Sequence, residues 1–544
     1  MKTSTTREAG STLPAALLII FVACVIVGIA TAMTNNIARN TQANAAVQAD
    51  VSVGDGALEY VYAQWRQICK AKAAADPAAV PTTSDFSGIT LPAGFPNTDP
   101  SIKTLTTTIT NLSVVAVDPL LHPLATAFTT PPKQSGRGPG SYAYSYLASA
   151  DVTTQAVSRP VTQKVRRVFQ KKAESPWNFA VFYQDLLEIH PSQPLTLTGW
   201  VHTNDSAYTA TDKLTLTDRL TMTGSWNVAY APGDNRTGAV SPIYPPNEPP
   251  ATEDPFQAFG IDSTAFNKTD ANPNNDGYRE LVEVPDSSFP DPLSPPAPTV
   301  GATPPTSQRY YNLAGIKVVI NSTVRPVTKR VYNGAGVECT AGSPANSNDL
   351  KIYNAILGSN GALKGPNTFQ DNREGALMSV WDIDMGLLNS GGMTWNNIFY
   401  ITDIGGSSTS HIGVRVKNAA SLPATTTGTA SSMVGLTFVT DNPLYIWGDW
   451  NTGGSPASNT VPDPTKPMAA TYKWRPSAIL ADAITLLSNN WLDANSTKVL
   501  SARQASNTTV NAALLSGNVP TTSGSYSGGA ENFVRLLEDW TGKT

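Results

Sequence analysis

LPAALLIIFVACVIVGIATAM, residues 13–33, is a run of 21 residues without a charged side chain. At about 1.5 Å per residue, a helix of this length spans roughly 30 Å, which is the thickness of a bilayer core. No proline follows the run until Pro77, and proline disfavours the helical conformation in the residue before it. The pattern therefore predicts one helix over residues 11–76, about 95 Å long, whose segment 13–33 crosses a membrane.

The polar segment before the run, MKTSTTREAG, carries Lys2 and Arg7 and ends in Gly10. A cleaved secretory signal has a shorter apolar region, usually about 7–15 residues, followed by a small-residue cleavage site. The longer run and the helical pattern beyond it argue against that class. Two alternatives stay open: an ordinary N-terminal anchor, and a segment that is cut before the apolar run and then kept in the membrane.

This leader resembles that of the type IV prepilins, in which a short basic segment, a glycine, one further residue and Thr-Leu precede an apolar helix. The resemblance implies that a prepilin peptidase cuts after Gly10 and that Ser11 becomes the methylated N-terminus. It also implies a single-pass anchor in the bacterial inner membrane, with residues 1–10 as leader and the rest of the helix extracytoplasmic. The chain departs from the family at Ser11, where Phe or Met is usual, and at Ala15, where most pilins carry Glu.

The absence of that glutamate bears on the role of the subunit. A lone carboxylate in a bilayer is costly and is kept only with a partner, which in pilins is thought to be the terminal amine of the neighbouring subunit. Ala15 does not make this contact, so the resemblance implies a minor, tip-type subunit. The stretches FYQDLLEIHPSQPLTLTGWVHTND, from Phe182, and GLTFVTDNPLYIWGDWN, from Gly435, resemble large PilX-type pilus assembly proteins.

These resemblances imply a structural, non-catalytic role in filament assembly, tip formation or surface adhesion. The implied partners are the prepilin peptidase, other pilin-like subunits and the inner membrane, with the bulk of the chain in the periplasm or on the cell surface. Relatives continue beyond the equivalent of Thr544, so a shortened form is expected here.

Composition fits a protein outside the cytoplasm. Charged residues make up 14% of the chain, against about 25% in a typical soluble domain. The net charge of −4 gives no basic surface for nucleic acid, which excludes that class of partner. Three cysteines do not form a disulfide scaffold. If the anchor is right, Cys69 and Cys339 both lie on the oxidising side, where either a Cys69–Cys339 disulfide or two buried thiols can be expected.

The fold class expected from the sequence is mainly β with a long N-terminal helix. Residues 77–227 and 309–544 carry short alternating or apolar runs that predict β-rich domains, and residues 228–308 form a proline-rich insertion or linker. LTLT occurs at Leu195 and again at Leu214, 19 residues later. Such spacing is typical of one coil of a β-helix or solenoid, which is one architecture that the β-rich body could adopt.

The proline-rich segment contains NPNNDGYRELVE, which matches the spacing of an EF-hand calcium loop only in part. The residues at loop positions 1, 3, 5, 6, 9 and 12 are Asn272, Asn274, Asp276, Gly277, Glu280 and Glu283. Asparagine replaces the usual aspartate at the first position and no helix pattern leads in. A turn followed by a short amphipathic segment is the alternative, and no other cofactor is expected.

A competing hypothesis is a membrane-anchored β-helix that binds or cleaves surface polysaccharide. Carboxylates stacked on neighbouring coils could perform acid–base chemistry on a sugar chain. The candidates are Asp441, Asp449 and Asp482 for the carboxylates and Trp447, Trp450 and Trp491 for sugar-stacking aromatic rings. None of the familiar nucleophile, metal or phosphate-loop motifs occurs, so no catalytic residue is assigned and a non-enzymatic role is expected.

Overall fold

The structure is a computed structural model of the 544-residue chain. It describes residues 13–75, 80–96, 107–124, 128, 141–155, 160–174, 178–191, 194–253, 255–256, 278–286, 288, 309–388, 392–407, 409–423, 435–452, 475–517, 521, 523 and 529–543.

The chain is mainly β, with one long N-terminal helix, as the sequence predicts. It divides into two compact units, Met1–Asn178 and Phe179–Thr544, which are called unit 1 and unit 2 below. The division therefore falls at residue 178, whereas the sequence pattern places a boundary after residue 227.

Unit 1 consists of the long helix and an antiparallel sheet. Helix α1 is Leu13–Ala75, and its end matches the predicted one within a residue. The strands β1 (Thr107–Val117), β2 (Tyr142–Gln155) and β3 (Pro160–Ala173) follow one another in the sheet. Buried and half-buried residues alternate along β2 because successive side chains of a strand point to opposite faces.

The C-terminal half of α1 packs on this sheet through one stripe of apolar side chains. Leu58, Val61 and Trp65 recur three and four positions apart, which places them on one face of the helix. They contact buried sheet residues that include Tyr146 and Phe169; the Trp65 ring lies 5.6 Å from that of Tyr146 and 5.4 Å from that of Phe169. This aromatic core fixes the helix on the sheet.

The first part of unit 2 is built from short parallel strands. They are β4 (Phe179–Tyr183), β5 (Leu187–Ile189), β6 (Leu195–Leu197), β7 (Trp200–Thr203), β8 (Ala207–Thr209), β9 (Leu214–Leu216), β10 (Leu220–Met222), β11 (Trp226–Asn227) and β12 (Ala251–Thr252).

These strands form separate parallel sheets. Most paired strands are separated in sequence by about the spacing of the LTLT repeat. Leu195 pairs with Leu214, so the two LTLT segments are neighbouring strands as their 19-residue spacing suggests. The later LTMT segment is not a third member of this pair, because Leu220 pairs with Val201 in another sheet. β12 joins that sheet beside β10, so residues 251–252 belong to unit 2 although the sequence places them in a linker.

The second part of unit 2 holds longer strands and short helices. The strands are β13 (Ile316–Asn321), β14 (Thr328–Asn333), β15 (Glu338–Cys339), β16 (Leu363–Asp371), β17 (Ala376–Asp384), β18 (Ile398–Asp403), β19 (Ile412–Lys417), β20 (Leu436–Thr440), β21 (Leu444–Trp447), β22 (Ser477–Ala481), β23 (Ile484–Leu487), β24 (Ala513–Ser516) and β25 (Val534–Leu536). The helices are α2 (Tyr310–Leu313), α3 (Asn348–Ile356) and α4 (Met385–Leu388).

Two sheets organise these strands. Within the described residues, sheet I has the order β15-β14-β13-β18-β20-β22-β24 and sheet II the order β16-β17-β19-β21-β23-β25. From β17 onward successive strands alternate between the sheets, and from β19 onward each lies parallel to the strand two places earlier. Parts of the connections, including 424–434 and 453–474, lie outside the described residues, and the β-helix stays a prediction.

The main core lies between inward-facing residues of both sheets. On β17, Trp381 and Ile383 belong to this core, while the alternate residue Asp382 forms an ion pair with Arg415 of β19. The outward faces are not simply solvated. Arg415 is itself buried, with its guanidinium 4.6 Å from the ring of Trp447, so both faces of sheet II are packed here. This double burial resembles the situation in other parallel sheets.

Candidate functional site

The most unusual surface is the N-terminal half of α1. Every residue from 17 to 42 is exposed, and the apolar side chains include Ile19 at 68% and Phe21 at 66% exposure. The stretch has a mean hydropathy of 2.7 over its most apolar window. Soluble monomers rarely expose an apolar surface of this extent, so it marks a membrane or protein interaction site.

The threonine hydroxyls of this half are satisfied within the helix. The hydroxyls of Thr31, Thr34 and Thr41 donate to backbone carbonyls four residues earlier, at 2.8, 2.8 and 2.9 Å. Such back-bonding lets a hydroxyl enter an apolar environment without an unpaired donor. The helix is long and apolar enough to cross a membrane, and its exposed part suits either lipid or the apolar helices of other subunits.

The predicted processing residues cannot be examined in the same way. Gly10 and Ser11 lie outside the described residues, as does Thr12. Ala15 is within α1, and no acidic residue occupies the first turn of that helix. The cut after Gly10 therefore stays a prediction from the leader sequence.

The predicted calcium loop is only partly described. Asn272, Asn274 and Asp276 lie outside the described residues. Glu280 is fully buried and pairs with Arg309, which is also fully buried. Glu283 pairs with Arg279, with 2.5 Å between Arg279 Nε and Glu283 Oε1. Both described carboxylates are therefore engaged by arginines. The described residues contain no group of three His, Cys, Asp or Glu placed to hold a metal, and calcium stays a prediction.

Instead of leading into a cation site, residues 278–286 pack on the outer face of sheet I. Leu281 and Val282 are buried against Tyr400 of β18 and Leu480 of β22. The Tyr400 hydroxyl donates to the Val282 carbonyl at 2.7 Å, and Arg309 donates to the Glu283 carbonyl at 3.2 Å. This segment, called the strap below, is thus anchored by apolar contacts, hydrogen bonds and a buried ion pair, and it is not a free linker.

Cys69 and Cys339 are free thiols in this structure. Cys69 is buried in the core between α1 and the sheet of unit 1, and Cys339 is buried in the core of unit 2. Burial raises the pKa of the Cys339 thiol to about 11, with the charge of Asp349 adding to the shift. The structure gives the expected Cys69–Cys339 disulfide no support.

Two of the three candidate carboxylates occupy equivalent positions. Val439 of β20 pairs with Leu480 of β22, so Asp441 and Asp482, each two residues further on, follow neighbouring parallel strands at the same level. Asp449 follows β21 in sheet II and has other partners. It accepts from the Thr509 backbone N–H at 2.9 Å and from Asn489 Nδ2 at 3.2 Å. The three carboxylates expected to perform acid–base chemistry therefore do not lie in one row across neighbouring strands.

The three candidate tryptophans also lie in different environments. Trp450 and Trp491 are 0% and 2% exposed, so neither offers a ring face to a polymer. The Trp450 indole N–H donates to Ser477 Oγ at 2.9 Å and that of Trp491 to Asp493 Oδ1 at 2.8 Å. Trp447 is half-buried, with the Arg415 guanidinium over its ring. As stacking platforms for a sugar chain, Trp450 and Trp491 are excluded by their burial.

A cavity of about 240 Å³ lies beside Trp491. Its walls come from the turn after β23, from the segment that follows the short helix Leu500–Ala502, and from the chain after β25. Arg503 and Glu538 line it, and they are 8% and 5% exposed. Sequence reasoning missed both residues, because they are 35 positions apart and belong to no motif.

Comparison with known proteins adds no relative. No protein-family model matches the chain, and neither the curated proteins nor the solved structures contain a match.

Proposed function

We propose that the chain is a membrane-anchored, minor pilin-like structural subunit that serves filament assembly, tip formation or surface adhesion. The observation that carries the proposal is the division of α1 into two halves. Residues 17–42 are exposed and are apolar as far as Met33, whereas the helix from Ala46 onward buries a stripe against the sheet of unit 1. A helix of this kind displays its apolar half to lipid or to neighbouring helices while holding a folded body at its other end.

The leader sequence directs the proposal to the prepilin route rather than to an ordinary anchor. Gly10 precedes Ser11 and the Thr-Leu pair, as at the processing site of the prepilin class. In the proposal a prepilin peptidase removes residues 1–10, and the helix stays in the bacterial inner membrane until it packs with other pilin-like subunits. Ala15 brings no carboxylate into that packing, which suits a minor subunit better than a repeating one. The β-rich body lies outside the cytoplasm and has no catalytic step assigned to it.

The test uses the mass of the N-terminal peptide of the chain co-expressed with a prepilin peptidase. We expect a mature chain that begins at Ser11 and carries one added methyl group. Gly10→Val should block the cut, because a branched side chain crowds the bond that the peptidase must reach. Ser11→Phe is the matched control, since it installs the residue usual in the family and should leave the cut intact.

Retention of residues 1–10 by the wild-type chain beside an active peptidase would contradict the prepilin route. Equal processing of Gly10→Val and wild type would contradict the assignment of Gly10. In either case an ordinary anchor on an extracytoplasmic β protein becomes the better account.

A further inference from the structure

The cavity beside Trp491 has a rigid frame that exists without a ligand. The Ser488 backbone N–H and hydroxyl donate to the two carboxylate oxygens of Glu538, at 2.5 and 2.7 Å. The Asp539 N–H donates to the Arg503 carbonyl at 2.8 Å, and the Ala505 N–H donates to the Asp539 carbonyl at 3.0 Å. Three separate segments of unit 2 are therefore tied together around the cavity, and a ligand would meet a preformed site.

Arg503 brings a poorly compensated cation to this cavity. Its Nη1 donates to the Ser496 carbonyl at 3.2 Å, and its Nε is buried without a hydrogen-bond partner among the described residues. Within the part of the chain that the structure describes, its guanidinium forms no ion pair with a carboxylate. Glu538 interacts with Arg503 electrostatically without an ion-pair contact, and the buried Nε stays an unsatisfied donor. An unsatisfied buried donor is unfavourable, and the planar guanidinium suits a carboxylate, which accepts two parallel N–H donors.

The remaining walls are half polar and half apolar. Asn490 and Asn495 contribute amide side chains, which donate as well as accept hydrogen bonds, and Trp491, Leu492 and Ala502 form the apolar part. Gln504 also lines the cavity, but its Nε2 already donates to the Ser501 carbonyl at 3.1 Å and to Asp539 Oδ2 at 2.7 Å, which leaves its amide oxygen as an acceptor. Amides of this kind suit the hydroxyls of a sugar. A volume of about 240 Å³ is below the range of about 300–1,000 Å³ typical of sites for larger ligands, so it limits the occupant to one small ring.

We propose that this cavity binds one carboxylate-bearing sugar unit, with the carboxylate on Arg503 and the hydroxyls on the neighbouring amides. Burial raises the pKa of the nearby Glu538, and both of its carboxylate oxygens already accept hydrogen bonds from Ser488. The site gives the β-rich body a ligand of its own, an acidic sugar at the cell surface. It does not depend on processing at Gly10 or on assembly, so either proposal can fail alone.

The test titrates D-glucuronate and D-glucose into the full-length chain in detergent and follows binding by calorimetry. We expect wild type to bind glucuronate at least about tenfold more tightly than glucose, a difference of about 1.4 kcal/mol. Arg503→Gln should weaken glucuronate binding by at least about tenfold. Arg330→Gln is the matched control, since it removes the same charge from an arginine that is 57% exposed on β14.

A second variant tests the site in case Arg503→Gln fails to fold. Asn490→Ala changes an exposed side chain on the rim, and we expect it to weaken glucuronate binding without lowering the midpoint of thermal unfolding. No glucuronate binding by wild type, or equal binding by wild type and both cavity variants, would overturn the proposal. Inorganic sulfate that binds as tightly as glucuronate would overturn the sugar assignment, because it would show an anion site that ignores the hydroxyls.

Discussion

Asp441 is a carboxylate held between the strap and sheet I. Its Oδ1 is buried without a hydrogen-bond partner among the described residues. Burial raises the pKa of Asp441 from its ordinary value of 3.8 to about 7, and the negative charge of Glu283 on the strap adds to the shift. Since the folded chain disfavours the ionised form, this residue stabilises the fold most below about pH 4, and that contribution is lost as the pH rises through 7.

Asp441→Asn should therefore remove part of the pH dependence of stability. At pH 8 we expect the variant to gain roughly 2 kcal/mol in free energy of unfolding over wild type, with little gain at pH 4. The measurement is denaturant unfolding at the two pH values. Asp449→Asn is the control, because that carboxylate accepts two hydrogen bonds and should show no gain at high pH. Equal responses of the two variants would contradict the account of Asp441.

The burial and the partners of single residues were what the sequence predicted least well. Trp450 and Trp491 are in short strand-rich segments whose pattern does not say which face is buried. Both faces of the sheets are covered, sheet I by the strap and sheet II by residues that include Trp491 itself. Alternation of apolar and polar residues along a strand identifies the buried face only when the other face is solvated. In these sheets residues on both faces can be buried, so the pattern does not say which ones are. The pairing of Arg309 with Glu280 was likewise not predicted, because the two residues are 29 positions apart in sequence.

At the level of elements, α1 was the best predicted, because its signal is local. Gly54 and Gly56 both lie within this helix, and the structure gives them different roles. A Cβ at Gly54 would overlap the side chain of Val165, whose own Cβ would be only 2.9 Å away. At Gly56 the nearest atom would be Phe95 Cζ at 3.5 Å, which is an ordinary contact. Gly54 therefore permits the close approach of helix and sheet.

Gly54→Ala and Gly56→Ala should consequently change the stability of unit 1 in opposite directions. The extra methyl at Gly54 should destabilise unit 1 by about 1–3 kcal/mol through overpacking. The same change at Gly56 should stabilise it by up to about 1 kcal/mol, because alanine favours the helix. Hydrogen exchange of backbone amides in α1 and β3 measures both effects. Stabilisation by Gly54→Ala would contradict the packing of helix on sheet.

The parallel strands were predicted as strands but not as pairs, with one exception. The LTLT repeat gave the pairing of Leu195 with Leu214, because an internal repeat carries its own register. Elsewhere the partner of each strand is a long distance away in sequence. Asp441 and Asp482 come to equivalent positions only through the pairing of β20 with β22, and 22 residues between those strands lie outside the described ranges.

At the scale of the whole molecule, the chain combines a helix-and-sheet unit with a larger unit rich in parallel strands. The sequence predicted this mainly β composition but did not mark the division at residue 178, since strands on both sides of it have similar alternating patterns. The proline-rich segment was predicted to be an irregular insertion or linker. Proline content excludes regular core strands, yet it does not prevent a strap from packing on a sheet.

The account rests most heavily on the fate of α1, which the structure leaves with an apolar half in contact with nothing else in the described chain. The most direct measurement is the mass of the N-terminal peptide of the chain recovered from sheared surface filaments and, separately, from membranes of its own host. The account predicts a chain that begins at Ser11 in both fractions and is present in the filaments in small amount. A chain found only in membranes, with residues 1–10 still attached, would contradict it.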